Sequence, residues 1–270
     1  MKIIILLLSL CFALYSQSVS GKASEFIDKK KLESSKNLIS FLFSKDEKRY
    51  YDKNGKINTV SILKTLRDNA LLELSFKEPQ DLELVFITKQ NPLIFMRVIS
   101  ESLNSMGYNL FMTKKVSKTP EEFIWRISLS TQNIPSPILL SEALKAHGCE
   151  VLDITRDGST WSYDIDSQNA YIDTIKVAQN KKTYLKKPFA AYLVALNGDT
   201  KSITLEAHAA DHWHPKVSFY GSNMHLISTY ELDKRQSALK LRVPQKAAYV
   251  KIDDKYMLDN IKRGLSITIE

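Results

Sequence analysis

Four of the five histidines in this 270-residue chain lie close together, in the stretch AHAADHWHPKVSFYGSNMH. Imidazole and carboxylate groups are ligands of zinc, nickel and copper, and two or three histidines with one acid can hold such an ion. In a His-x-His pair on extended chain both rings point to the same side. The stretch is therefore a candidate metal site, although a fixed-spacing signature such as His-Glu-x-x-His is absent. Its ligands would be Asp211, His212, His214 and His208.

The same loop supports two other interpretations. In the first, Trp213 is an exposed ring that stacks on a sugar or peptide while His212 and His214 donate hydrogen bonds. In the second, the loop is an ordinary polar connection whose imidazoles contact water, with one histidine packed under Trp213. The sequence requires no cofactor, and zinc, nickel and copper are the ions to test if the loop holds a metal.

Signatures of catalysis are weak elsewhere. Ser61 and Lys64 match the Ser-x-x-Lys pattern of penicillin-recognising enzymes, but the companion Ser-Asp-Asn and Lys-Thr-Gly motifs are missing. Glycosidases use a pair of carboxyl groups enclosed in a cleft. The acidic residues of the predicted hairpin at 149–166 are instead expected on its solvent face, namely Asp153, Asp157, Asp164 and Asp166. We therefore assign no catalytic residue and predict a non-enzymatic protein, with an exported cell-wall hydrolase as the alternative.

The N-terminus has the pattern of a signal peptide. Lys2 precedes an apolar core of about 12 residues, and small residues at Ser18 and Ser20 predict cleavage before Gly21. The apolar run is short for a membrane span, so a retained anchor and lipidation at Cys11 are secondary alternatives. No later segment is as apolar, which predicts no transmembrane segment after signal removal. The expected location is the bacterial periplasm, with secretion as the alternative.

Net charge limits the expected partners. The formal charge is +8, and removal of residues 1–20 takes away only Lys2, which leaves +7. Export argues against a nucleic-acid partner. In an envelope, lysines attract anionic lipids and acidic polymers through long-range, salt-sensitive forces, although moderate charge also simply favours solubility. The predicted partner is an envelope protein or an anionic envelope polymer.

A helix–glycine–strand–strand pattern occurs twice and organises the first half of the chain. Gly148 aligns with Gly107, and Trp161 aligns with Trp125. Each glycine follows the last apolar helical position, where a left-handed C-cap favours glycine. A true duplication and a chance similarity of two strand contexts are both open.

With a preceding strand, these units predict a ferredoxin-like βαββαβ domain with an additional strand. The expected elements are strand 82–87, helix 93–106, strand 108–113, strand 123–130, helix 137–147, strand 149–155 and strand 160–166. From residue 188 onward, seven short strand-like runs separated by turn signals predict an antiparallel β-sandwich. The fold class is thus α+β, with two domains.

The predicted organisation has five parts: a signal peptide at 1–20, a polar and partly helical lead-in at 21–57 that is frayed over 21–36, an α+β domain at 58–166, a linker at 167–187 and a β-sandwich at 188–270. Since such scaffolds host many activities, the fold alone assigns none. The preferred function is a non-catalytic, exported binding or assembly protein. Its contact surfaces would be the loop at 209–215 and an exposed sheet edge.

Overall fold

A computed structural model describes residues 18–270. Residues 1–17, which hold most of the predicted signal peptide and Cys11, lie outside the described residues. The described chain begins with four helices: α1 (Val19–Ser24), α2 (Lys29–Ser34), α3 (Lys36–Ser44) and α4 (Thr59–Asp68). The side chain of Asn58 accepts a hydrogen bond from the Ser61 N–H at 3.0 Å and caps α4.

The segment expected to be frayed, residues 21–36, is instead ordered against the first core. Ala23, Phe26 and Ile27 are buried there. In the sequence, Lys22 indicates a solvent-exposed segment. In the structure its ammonium pairs with Asp153 at 3.0 Å, and only 3% of the side chain is exposed. A lysine can bury its aliphatic stem in this way when its charge finds a partner. Since α1 begins at Val19, cleavage before Gly21 would remove a core residue.

A five-stranded mixed sheet forms the centre of the first domain. Its elements follow in the order β1 (Ser75–Thr88), α5 (Pro92–Ser105), β2 (Met112–Lys118), β3 (Phe123–Asn133), α6 (Pro137–Ala146), β4 (Glu150–Asp157) and β5 (Thr160–Asp166). The strand order in space is β2-β3-β1-β5-β4. The α+β prediction is confirmed. One detail differs from the simple ferredoxin-like pairing, because β5 rather than β4 lies beside β1.

The two helix–strand–strand units flank β1 on opposite sides. β3 runs antiparallel to β1 and places Trp125 opposite Phe86, while β5 runs parallel to β1 and places Trp161 opposite Leu84. Both tryptophans are buried. The internal echo in the sequence therefore corresponds to two equivalent units around one central strand.

The first strand of the first unit lies later than the sequence predicts, at 112–118 instead of 108–113. Apolar residues at 110–112 suggested a buried strand, but Leu110 is 89% exposed and Met112 is 67% exposed. Of the three residues, Phe111 packs against the core, edge-on to Trp125. The pattern that normally marks burial here marks an open surface.

Residues 183–269 form a sandwich of two four-stranded antiparallel sheets, with orders β10-β9-β12-β7 and β11-β8-β13-β6. The strands are β6 (Thr183–Leu185), β7 (Tyr192–Ala195), β8 (Ser202–Ala207), β9 (Pro215–Gly221), β10 (Leu226–Glu231), β11 (Ala238–Arg242), β12 (Ala247–Asp254) and β13 (Leu265–Ile269). Side chains of both sheets share one core, which confirms the sandwich. β6 lies inside the expected linker, and its three residues are too few for a recognisable alternation.

The two domains are in contact. Leu193 and Met224 of the sandwich pack against the first core. The connection between the domains is also anchored, since Ile172 belongs to the first core and Val177 to the second. Among residues 18–270, no helix is long and apolar enough to cross a membrane.

Candidate binding sites

The residues of the histidine loop alternate between the interior and the solvent. Asp211 is buried, and its carboxylate accepts hydrogen bonds from the backbone N–H of Arg263 at 3.1 Å and from its guanidinium at 2.7 Å. Trp213 is 0% exposed, and its indole N–H donates to the carbonyl oxygen of Asp253 at 3.0 Å. Trp213 therefore does not present the stacking surface that its predicted loop position indicated. Both residues hold the loop onto neighbouring chain segments.

Among residues 18–270, no histidine of this loop is hydrogen-bonded to the Asp211 carboxylate, whose partner is Arg263. His212 is exposed, whereas His214 is partly buried and packs edge-on against Tyr256, with ring centroids 5.0 Å apart. The His208 Nδ1 accepts a hydrogen bond from the Ala210 N–H at 3.1 Å. Over the described part of the chain, no three His, Cys, Asp or Glu side chains are grouped as they would be around a metal ion. Binding of zinc, nickel or copper by Asp211, His212, His214 and His208 stays a prediction, which titration of the untagged protein with each ion tests.

Asp254 organises the chain that packs on the histidine loop. It is 4% exposed and accepts hydrogen bonds from the backbone N–H groups of His214, Tyr256 and Met257 and from the amide of Asn260. Burial raises the pKa of this carboxyl, but the donated hydrogen bonds outweigh burial and hold the pKa below its ordinary value. Asp254 is therefore a buried carboxylate with a structural role, and sequence pattern did not distinguish it from its neighbours.

A cleft of about 690 Å³ lies between α4, α6 and β4. Ser61 and Lys64 line it, but the Lys64 ammonium pairs with Glu142 at 3.1 Å, and no hydrogen bond joins it to the Ser61 hydroxyl among the described residues. Cys149 also lines the cleft, and burial, with a smaller effect of the Asp166 charge, raises the pKa of its thiol to about 11. A protonated thiol is a poor nucleophile. The geometry therefore provides neither an activated serine nor a reactive cysteine here.

A second cleft, of about 980 Å³, lies at one end of the sandwich. Residues 197–201 connect β7 to β8, and residues 243–246 connect β11 to β12, so both loops cross between the two sheets. The Val243 N–H donates to the carbonyl oxygen of Lys201 at 2.8 Å and holds the loops side by side. We call this cavity the sandwich-end cleft.

Three cations line the sandwich-end cleft, namely Lys201, Arg242 and Lys246. All three are exposed, and within residues 18–270 none of them forms an ion pair. Lys246 has a left-handed backbone, with φ +64°, which turns the chain sharply before β12. Asp199 is the one acid in the lining of the cleft. Among residues 18–270, the lining of the cleft therefore carries three cations and one acid, which is an excess of positive charge.

Thr200 also lines this cleft, and its side chain lacks a hydrogen bond. The residue is 7% exposed, and its hydroxyl oxygen is buried without a partner among the described residues. A buried hydroxyl with no partner costs about 1–3 kcal/mol. The unpaired Thr200 hydroxyl is therefore a local source of instability next to the cleft.

This cleft is not recognisable from the sequence. Its cations lie at positions 201, 242 and 246, so only the fold brings them together. The available signal was indirect: the turn at Asn197-Gly198-Asp199 and the turn at Pro244 were both recognisable. Placing both turns at the same end of the sandwich requires the strand pairing, which one sequence does not give.

The chain matches no known family model, no curated protein and no solved structure. A functional proposal therefore rests on the chemistry of the chain itself.

Proposed function

We propose that this protein is an exported, non-catalytic binding protein of the bacterial envelope, and that it binds an anionic polymer in the sandwich-end cleft. The observation that carries the proposal is the convergence of Lys201, Arg242 and Lys246 on one cavity, with no ion-pair partner for any of them among residues 18–270. An envelope location, periplasmic or secreted, is part of the proposal and rests on the N-terminal apolar run.

The chemistry of the cleft favours a ligand with clustered negative oxygens. The guanidinium of Arg242 presents a planar fork of donors that matches a carboxylate or phosphate, and the two lysines add point charges. The Thr200 hydroxyl is buried in the free protein, so an anionic oxygen in the cleft would accept its proton after the side chain turns toward the cleft, which would supply the missing partner. Acidic polysaccharides and polyphosphate chains both have this chemistry.

Binding is preferred over catalysis because of the state of the candidate nucleophiles. Lys64 is engaged by Glu142 rather than by Ser61, and Cys149 is held as a thiol. An exported cell-wall hydrolase remains the alternative activity, and the cleft between α4 and α6 would be its site. Release of soluble fragments from cell-wall material, abolished by Ser61→Ala, would favour that alternative.

The test is a titration with polygalacturonate and with polyphosphate, using neutral dextran as the blank. The cleft variant Lys201→Gln/Arg242→Gln/Lys246→Gln is compared with a charge-matched variant, Lys53→Gln/Lys89→Gln/Lys234→Gln, which changes three exposed lysines outside the cleft. Because each charge-assisted hydrogen bond contributes about 1.5–3 kcal/mol, we expect at least a tenfold loss of affinity in the cleft variant.

The charge-matched variant distinguishes a site from general attraction. Both variants lose three positive charges, so non-specific attraction predicts equal losses of affinity. We expect the charge-matched variant to bind nearly as well as the wild-type protein. Equal weakening of both variants, or no binding of either polymer by the wild-type protein, would reject the proposal.

A protein partner is a second candidate, favoured by the open edge of the five-stranded sheet. β2 exposes Met112 and Val116 together with Lys114, Lys115 and Lys118, and it pairs with β3 on one side only. An edge strand of this kind can accept an added strand from another protein. Like charges disfavour self-pairing, whereas an acidic strand complements the lysines.

Zero-length cross-linking of amines to carboxylates in intact host cells tests this second candidate. An added acidic strand would give cross-links from the β2 lysines to one reproducible protein. The variant Met112→Asp/Val116→Asp should remove them, because it replaces two apolar contacts with carboxylates that repel an acidic strand. The lysines that form the cross-links stay in place. Cross-links that persist in this variant would exclude strand addition at β2.

A further inference from the structure

The other end of the sandwich, opposite the cleft, exposes large apolar side chains. β7 runs from Tyr192, near this end, to Ala195, near the sandwich-end cleft. We call the end near Tyr192 the basal end. Four of its side chains are strongly exposed: Tyr184 by 62%, Phe189 by 96%, Tyr256 by 58% and Met257 by 60%. Phe189 therefore projects into solvent, whereas the adjoining Pro188 is buried.

Lysines surround the protruding Phe189. Lys186 and Lys187 directly precede Pro188, and the pairing of Leu265 with Leu185 places Lys262 beside them. All three lysines are exposed, and among residues 18–270 none forms an ion pair. Acids at the basal end offset this charge only in part. Asp259 lies just before Lys262, Asp233 pairs with Lys255 and accepts a hydrogen bond from the Tyr256 hydroxyl, and the adjoining groove carries Asp173.

Phe189 lies in the loop at residues 186–191, between β6 and β7, and hydrogen bonds fix the base of this loop. The Tyr192 hydroxyl donates to the carbonyl oxygen of Lys186 at 2.5 Å, and the Tyr184 hydroxyl donates to the carbonyl oxygen of Arg263. The loop that carries Phe189 is thus presented on a fixed base, so little conformational freedom is lost when it meets a surface.

We propose that the basal end is a peripheral membrane-binding surface, in which Phe189 enters the interface of an anionic bilayer while Lys186, Lys187 and Lys262 contact lipid head groups. Aromatic side chains with apolar bodies favour this interface, and lysines beside them are attracted by anionic lipid. A bilayer is favoured over a protein pocket because the exposed apolar groups are spread over one end rather than gathered in one patch. The sandwich-end cleft would then face away from the membrane and stay open to its ligand.

The test places a fluorescent reporter at the loop tip of the full chain. Phe189→Trp is examined with vesicles that contain phosphatidylglycerol and brominated lipid, against vesicles of phosphatidylcholine with the same brominated lipid. The three native tryptophans are at most 3% exposed, so the difference from the wild-type chain reports the introduced residue. The control is Leu110→Trp, because Leu110 lies on the first domain and is 89% exposed.

We expect emission from the introduced tryptophan at position 189 to be quenched by the anionic vesicles and much less by the neutral ones, and the Leu110→Trp reporter to be unaffected. Adding Lys186→Gln/Lys187→Gln should weaken vesicle binding roughly 25-fold, since each lysine near an anionic surface contributes roughly fivefold. Because the quenching is local to position 189, binding through the N-terminal apolar run does not mimic it.

Two results would overturn the inference. One is the absence of quenching at position 189 although the protein sediments with the vesicles. The other is equal quenching at position 189 with anionic and neutral vesicles. The sandwich-end cleft is tested separately, because Lys201→Gln/Arg242→Gln/Lys246→Gln should leave the quenching unchanged if the basal end is the contact.

Discussion

At the scale of single residues, Asp254 shows how a buried charge can stabilise this fold. Its carboxylate accepts four hydrogen bonds and lies under the histidine loop. Its pKa is lowered in the folded protein, so the folded state prefers the ionised form. By linkage, the stabilisation is complete above the unfolded pKa of about 3.9 and is lost as pH falls through the lower folded pKa.

We therefore predict that Asp254→Asn lowers the melting temperature at neutral pH and reduces its dependence on pH below about pH 4. The amide of asparagine can no longer accept all the N–H donors that face the carboxylate. Thermal unfolding at a series of pH values measures both effects. Asp157→Asn, at an exposed hairpin position, is the control and should change neither quantity appreciably. A wild-type pH dependence in Asp254→Asn would contradict the role assigned to this carboxylate.

The two equivalent glycines of the repeat make a second residue-scale prediction. Both have left-handed backbones, with φ +92° at Gly107 and +75° at Gly148. A Cβ at Gly107 would meet open space, but a Cβ at Gly148 would lie 2.2 Å from the carbonyl oxygen of Asn169. Alanine at either site incurs the left-handed cost of about 1–2 kcal/mol, and only Gly148 adds a backbone collision.

We expect Gly148→Ala to lower the free energy of unfolding distinctly more than Gly107→Ala. Urea unfolding of the two variants measures the difference, and each variant is the other's control because both replace a helix-ending glycine. Equal losses would mean that the segment at Asn169 moves aside at no cost, so that the close approach is not a constraint.

The orientation of the histidine loop and the grouping of the cleft cations could not be predicted from the sequence, for a physical reason. The alternation in Asp211-His212-Trp213-His214 was predictable, but which side faces the core was not. The structure turns Asp211 and Trp213 inward and leaves His212 in solvent. Likewise, the three cleft cations are far apart in sequence, so their convergence depends on strand pairing.

At the scale of elements, local pattern was most informative where one face of a strand is buried. Strand 160–166 has the predicted bounds, and the strand-like runs at 202–207 and 265–269 form β8 and β13, because their apolar and polar residues alternate. The pattern failed at β2, an edge strand whose apolar residues face solvent, and at the three-residue β6. It also failed at α1, because the buried and paired Lys22 looks like a solvated residue in sequence alone, and at the short helix α2.

Edges and loops of these elements are where the proposed contacts lie. The sandwich-end cleft, the β2 edge and the loop at Phe189 all use residues that the cores leave exposed. Surface loops on a rigid scaffold commonly carry function for this reason. The three surfaces differ in chemistry, since the cleft is cationic, the edge offers backbone groups, and the loop offers an aromatic ring.

At the scale of the whole molecule, the two domains are joined through shared packing rather than by a free tether. Leu193 and Met224 contact the first core, and the connecting segment pairs with the sandwich through Ile175 and Val194. The sandwich is thereby held against the first domain, with its cleft and its basal end at opposite ends. This arrangement would let the protein attach at one end and bind polymer at the other.

The central claim is that an anionic polymer binds in the sandwich-end cleft, and Thr200→Val tests it most directly. Valine has nearly the same shape and removes a buried hydroxyl that has no partner among residues 18–270. The measurement is the affinity for polygalacturonate and polyphosphate together with the melting temperature of the free protein. We expect a melting temperature equal to or above that of the wild-type protein, with weaker binding of the polymer that the wild-type protein binds. Unchanged affinity in Thr200→Val would contradict it.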